Sequence, residues 1–359
     1  MAQFDTKIYI VDKSVDNVDI YAHLQEAARW IQEGEVVAFP TETVYGLGAD
    51  ATHSEAVRKI YAAKGRPSDN PLIVHIAQLD QLQDVAYAVP DKARKLMEAF
   101  WPGPITFILP AKAGLAPEVT AGLETVGVRM PDHPIARALI EAANTPIAAP
   151  SANRSGRPSP TTAQHVWEDL QGRIPLILDG GETGVGVEST VLDVTLDPPV
   201  ILRPGGVSQE ELQAMIGEVR LDPGLQDQSQ PARAPGMKYR HYAPHAPLYL
   251  IEGKGDEAVE KMRAAIMEQV NTGKRVGVLT VDEESSLLAD LPVTCLVRCG
   301  SRNHLEEVAH QLFHGLRQFD AVSVDIILSR TFPRQGIGLA IMNRLHKAAG
   351  GRYYQHKNQ

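Results

Sequence analysis

The chain has 359 residues, with 35 Lys+Arg against 44 Asp+Glu and a formal net charge of −9. That length favours two domains, since single cores rarely grow past about 250–300 residues. Its 43% hydrophobic and 22% charged content excludes a disordered or fibrous chain. No stretch approaches the roughly 18 uninterrupted apolar residues of a membrane helix. The opening MAQFDTKIYIVDKS lacks the basic start and apolar run of a secretory signal, so a cytoplasmic protein without a membrane segment is expected. Cys295 and Cys299 cannot build a disulfide framework, and one Cys-x3-Cys pair is a poor zinc site, so two buried or half-buried thiols are expected. Net acidity argues against holding nucleic acid by bulk electrostatics.

In chain order, residues 22–33 carry helical apolar spacing that Gly34 stops. EVVAFP then reads as a buried strand, 53–64 as a helix and PLIVHI as a strand. Further strands are predicted at 104–109, 125–130, 146–149, 175–179, 188–194 and 199–203, with helices near 91–100, 133–143, 162–170 and 208–216. This alternation predicts an α/β domain with a mixed sheet over 1–216. Residues 217–246 are rich in Pro, Gly, Gln and Asp and read as a linker, although GMKYRHYAP concentrates Lys238, Tyr239, Arg240, His241 and Tyr242. From 247 to 359 the pattern is PLYLIEG strand, 255–271 helix, RVGVLTV strand, short helix, VTCLV strand, 303–318 helix, AVSVDIIL strand and 337–347 helix. Four strands alternating with helices predict a small three-layer parallel-sheet domain.

The chemistry concentrates in the first domain. PTETVYGLG, Pro40 to Gly48, follows a strand; its two threonines, glutamate and tyrosine can line a crevice at a sheet's carboxyl end, or form a plain polar turn. In KGRPSDNPL, Lys64 and Arg66 either complement a helix C-terminus or aim at an anion. GVRMP ends an apolar strand with Arg129, a buried charge that needs an anionic partner. APSANRSGRPSPTT, DGGETGVGVESTV and ILRPGG add Ser151, Asn153, Thr161, Ser189 and Arg203 to Gly/Pro-rich strand ends. Glycine-rich backbone approaches a ligand closely, and hydroxyls and amides bind it without large charges, so six such ends predict one converging, nucleotide-sized site. No P-loop, Gly-x-Ser-x-Gly elbow or His-Glu-x-x-His motif is present, and Gly253-Lys254-Gly255 gives only a fragment of the dinucleotide fingerprint.

Together, PTETVYGLG, KGRPSDNPL, FWPGPITFIL, VRMP, PSANRSGRPSPT, VESTV, LRPGG and PGMKYRHYAP resemble the YrdC family, in its longer two-domain form. The blocks occur in the family's order over essentially the whole chain. The resemblance implies a twisted mixed-sheet domain with a large concave face, then a smaller Rossmann-like parallel-sheet domain. It implies a nucleotidyltransferase that makes L-threonylcarbamoyladenylate from L-threonine, bicarbonate or CO2, and ATP, with Mg2+ accompanying ATP and pyrophosphate released. The product would go to a separate tRNA threonylcarbamoyl transferase complex acting beside the anticodon; whether this chain itself touches tRNA stays open. By the same resemblance Thr41, His75, Arg129, Ser151 and Ser189 match a threonine pocket. Arg66, Asn70, Thr106, Asn153, Thr161, Arg203 and Tyr242 match ATP contacts, and Lys64 with Arg66 would serve catalysis. Lys238, Tyr239, Arg240 and His241 would form a lid that shields the carbamate from water. Hydrogenase-maturation relatives carry zinc-finger cysteine pairs that two cysteines cannot supply. The rival reading is an RNA- or tRNA-binding protein without nucleotidyl transfer, against which the net charge argues.

Overall fold

The computed structural model describes residues 4–12, 18–225 and 241–355. Two units result: Met1–Ser155 with Ser159–Lys238, and Gly156–Pro158 with Tyr239–Gln359. The strands of the first are β1 (Lys7–Ile10), β2 (Val37–Phe39), β3 (Gly46–Asp50), β4 (Ile73–His75), β5 (Ile105–Pro110), β6 (Thr125–Arg129), β7 (Ile147–Ala148), β8 (Leu176–Asp179), β9 (Thr190–Asp193), β10 (Val200–Arg203) and β11 (Arg220–Leu221). Among the described residues they form one mixed sheet in the order β1-β8-β2-β3-β7-β4-β6-β5-β9-β10-β11.

Most of these strands read as apolar runs because helices cover the sheet on both faces. Val74, Phe107, Leu109 and Val128 face a core shared with the helices Ser54–Lys64 and Asp91–Phe100. Val37, Phe39, Ile147 and Leu176 on the other face pack against Val18–Gln32 and Pro134–Ala143. Register decides which polar residues share a face. In the parallel pair β4–β6, His75 is opposite Arg129 and Ile73 opposite Gly127. The antiparallel β5–β6 pairing of Phe107 with Val128, extended by one residue, sets Thr106 beside Arg129. Gly127 leaves room there: a Cβ would sit 3.2 Å from the Thr106 methyl and 3.3 Å from Ile108. His75, Arg129 and Thr106 thus rise together from the face opposite Val74 and Val128.

The second unit has β12 (Leu248–Ile251), β13 (Val276–Thr280), β14 (Cys295–Arg298) and β15 (Ile326–Arg330), all parallel, in the order β12-β15-β13-β14. The helices Gly255–Asn271 and Asp282–Leu288 share a core with Val276, Val278 and Leu328. The helix Leu305–Val322 lies on the opposite face, so close that a Cβ on Gly277 would meet the Phe319 ring at 2.7 Å. Cys299 is buried, and burial pushes its thiol up to about 12, which keeps it neutral and inert.

Several elements depart from the sequence reading. Residues 220–221, expected to belong to a linker, form β11, a two-residue edge strand paired with β10 and too short to show periodicity. The AVSVDIIL strand starts only at Ile326, because the preceding helix runs through Val322 and ends on Ser323 in a left-handed conformation. β1 and β3 were not anticipated. The first exposes Ile8 and Ile10 at the sheet edge, and the second is built of GLGAD.

Candidate active site

The loop after β2 is organised by a threonine hydroxyl. Thr41 Oγ1 accepts the backbone N–H groups of Thr43 (3.1 Å) and Val44 (3.3 Å) and donates to Val44 O at 2.7 Å. Its one proton is therefore committed, so Thr43 donates across the 2.9 Å contact between the two hydroxyls. Thr43 Oγ1 in turn accepts from Arg129 Nη1 at 2.9 Å. Arg129 is buried, and its Nη2 lies 2.7 Å from Glu42 Oε2. Glu42 is thus the anionic partner that a buried arginine requires. The approach is close but off-line: neither Arg129 Nη2 nor either carboxylate oxygen of Glu42 has a hydrogen-bond partner.

His75 is fully buried, and its Nδ1–H donates to Ile73 O at 3.2 Å. Burial, with the Arg129 charge behind it, pushes the imidazole from 6.5 down to about 3, so it is neutral at physiological pH. Between those values the unfolded chain binds a proton that the folded one refuses. Stability is therefore complete above pH 6.5 and is lost as pH falls toward 3. From pH 7 to pH 5 this histidine should remove about 2 kcal/mol, at 1.36 kcal/mol per pH unit. Denaturant melts should show that extra loss in the native chain and not in His75→Gln. Equal losses would mean that His75 does not titrate this way.

Beside Arg129, Thr106 Oγ1 lies 2.8 Å from Ser189 Oγ. Arg203, buried at the end of β10, donates through Nη2 to Ser189 O (2.9 Å) and Ser189 Oγ (3.1 Å). A second network surrounds Lys64, the last residue of its helix, which Gly65 caps at φ 63. Its ammonium donates to Ser151 O (2.5 Å), Asn153 O (2.6 Å) and Asn153 Oδ1 (3.3 Å), while Ser151 Oγ donates to Asn153 Oδ1 at 2.6 Å. Lys64 thus fixes the loop after β7. Backbone bonds join the two networks, Leu47 N to Pro150 O and Ala152 N to Tyr45 O, and Val185 N to Glu42 O ties the glycine-rich loop to the first.

Arg66 Nη2 donates to Asn70 O at 3.2 Å. The Asn70 carboxamide itself is fully buried with no hydrogen-bond partner on either atom, where buried amides are ordinarily satisfied. Thr161 is buried against His165, and its carbonyl accepts from Thr183 N at 3.0 Å. Tyr242 belongs to the second unit, stacked on Phe313 at 5.2 Å with the Arg344 guanidinium 5.5 Å from its ring centre. Lys238, Tyr239 and Arg240 lie outside the described residues, and His241 adjoins Tyr242. The sequence offered Thr43, Glu42 and Tyr45 only as lining residues of a crevice or as a polar turn, with no individual role. Tyr45 donates to Gly181 O at 2.7 Å and so ties the glycine-rich loop to this site.

The site thus gathers donors: buried cations, hydroxyls, a neutral imidazole and an orphaned amide on strands and loops of the first unit. Against known proteins, a family model described as telomere recombination, covering Sua5, YciO and YrdC, matches residues 29–205. A second, described as the threonylcarbamoyl-AMP synthase C-terminal domain, matches residues 207–350. Threonylcarbamoyl-AMP synthase of Bacillus subtilis is 54% identical over 97% of this chain and 99% of its own length. That of Pyrococcus abyssi is 50% identical over 91% of this chain and 94% of its own. The crystal structure of P. abyssi Sua5 complexed with L-threonine matches with a TM-score of 0.91 and 47% identity, covering 97% of this chain and 98% of that one. The chain belongs to the threonylcarbamoyl-AMP synthase family.

Proposed function

We propose that this enzyme joins L-threonine, bicarbonate and ATP into L-threonylcarbamoyladenylate with release of pyrophosphate, and so acts as a nucleotidyltransferase. The observation that carries the reading is Arg129, a buried guanidinium with Nη2 free of hydrogen bonds, beside the hydroxyls of Thr43 and Thr41. Such a group takes an amino acid carboxylate through charge-assisted hydrogen bonds. His75, Ser151 and Ser189 complete the threonine pocket in this reading. Arg66, Asn70, Thr106, Asn153, Thr161 and Arg203 would hold ATP, with the orphaned Asn70 amide satisfied by the nucleotide.

Chemically, the threonine ammonium gives up a proton to become the free amine. The amine adds to CO2 with loss of a second proton or to bicarbonate with loss of water, and an oxygen of the resulting carbamate then displaces pyrophosphate from the α-phosphate. This chain's own contribution is to position the reactants and to place positive charge near the phosphates. Among the described residues no three His, Cys, Asp or Glu side chains converge to hold a metal. In this reading Mg2+ comes with ATP, and no step here is routed through it. The mixed anhydride formed is prone to hydrolysis, so a separate transferase that hands the group to tRNA is the partner we infer. No helix among the described residues is long and apolar enough to cross a membrane.

Pyrophosphate release with each reactant omitted in turn tests the reading. Release should need threonine, bicarbonate and ATP together; release from ATP alone would reject it. Serine lacks one methyl, a difference that a shaped pocket discriminates by about 10–200-fold. Serine should therefore support the reaction that much more weakly in kcat/KM. Equal kcat/KM values would contradict a pocket shaped for the methyl group.

A further inference from the structure

We propose that Glu42 recognises the α-ammonium of the amino acid substrate, which makes it a specificity-determining residue of the threonine pocket. The inference rests on the functional reading above and deepens it. A zwitterion entering a buried site brings two charges, and each is costly to desolvate without a partner. Arg129 answers the carboxylate only. The amine and the carboxylate share one carbon, so an anion touching Arg129 lies within reach of the amine.

Glu42 is that anion: Oε2 lies 2.7 Å from Arg129 Nη2. Both of its oxygens are buried and accept no hydrogen bond, and since Oε2 is the one in the ion pair, Oε1 is the oxygen available to an ammonium. Its backbone is held rigidly, because Glu42 O accepts from Val185 N at 2.7 Å. Other acidic side chains of these loops are already engaged. Glu188 Oε1 accepts from Ser159 Oγ at 2.5 Å, and Asp179 Oδ1 accepts from Gly181 N at 2.9 Å. His75 is neutral and supplies no negative charge. The Arg129–Glu42 pair is therefore a dipole matched, charge for charge, to an amino acid zwitterion.

The test compares two ligands on two forms of the full chain by titration calorimetry. One ligand is L-threonine; the other is the hydroxy acid of the same configuration with a hydroxyl in place of the amine. The native chain should prefer threonine by about 10–100-fold, the strength of a charge-assisted contact. Glu42→Gln, nearly the same in shape, should bind the two ligands alike. A Glu42→Gln variant that keeps the native preference overturns the inference and leaves the functional reading standing. A native chain without preference does the same, and needs no variant to fold. A native chain that binds no threonine rejects both.

Discussion

Replacing Arg129 with alanine should raise the threonine requirement by about 10–100-fold, from loss of charge-assisted bonds worth about 1.5–3 kcal/mol. ATP affinity should change far less. The structure adds a second consequence. Glu42 would stay in place with its partner gone, and breaking a buried ion pair from one side costs on the order of 3 kcal/mol of stability. The double variant Arg129→Ala/Glu42→Gln should recover much of that stability while its threonine requirement stays high. Denaturant melts and threonine saturation curves on the three proteins separate the two effects. Equal loss of threonine and ATP affinity in a folded Arg129→Ala protein would mean that the carboxylate clamp lies elsewhere.

Lys64→Met should be as damaging by another route. The ammonium satisfies Ser151 O and Asn153 O, and an unsatisfied buried carbonyl costs about 1–3 kcal/mol. Methionine fills the space and leaves both carbonyls without their donor, so the loop after β7 should lose its fixed position. Turnover is expected to fall about 100-fold, with weaker ATP binding and a lower melting temperature, since misplacement of reactants alone can cost that much. Lys64→Arg should not restore activity, because a planar fork cannot replace a point donor among three converging oxygens. ATP KM and kcat measured on both variants check this. Native-like values in Lys64→Met would show that the loop does not depend on this contact.

Helices were legible in the sequence because a three-to-four residue apolar spacing survives any tertiary context, as in Ser54–Lys64 and Pro134–Ala143. Strands buried on both faces, such as Ile105–Pro110, were legible as apolar runs. Elements without that signature were not: GLGAD lacks large side chains, and Arg220–Leu221 lacks length. The site residues could be picked out as polar groups at glycine- and proline-rich strand ends, and Arg129 by its need for a counter-charge. Which groups meet was not legible, because Arg129 meets Glu42 and Thr43 across more than eighty residues of intervening chain. Glu42 looked like any glutamate in a polar loop. Lys64 read either as a cation for a helix end or as one for an anion, and the carbonyls of Ser151 and Asn153 that its ammonium meets lie too far along the chain to be read from sequence.

The most direct measurement is mass spectrometry of the product formed from ATP, L-threonine and carbon-13 bicarbonate. The account predicts an adenylate carrying one threonine and one labelled carbon for each pyrophosphate released. An adenylate of threonine without the labelled carbon, or pyrophosphate formed with threonine left unmodified, would contradict it.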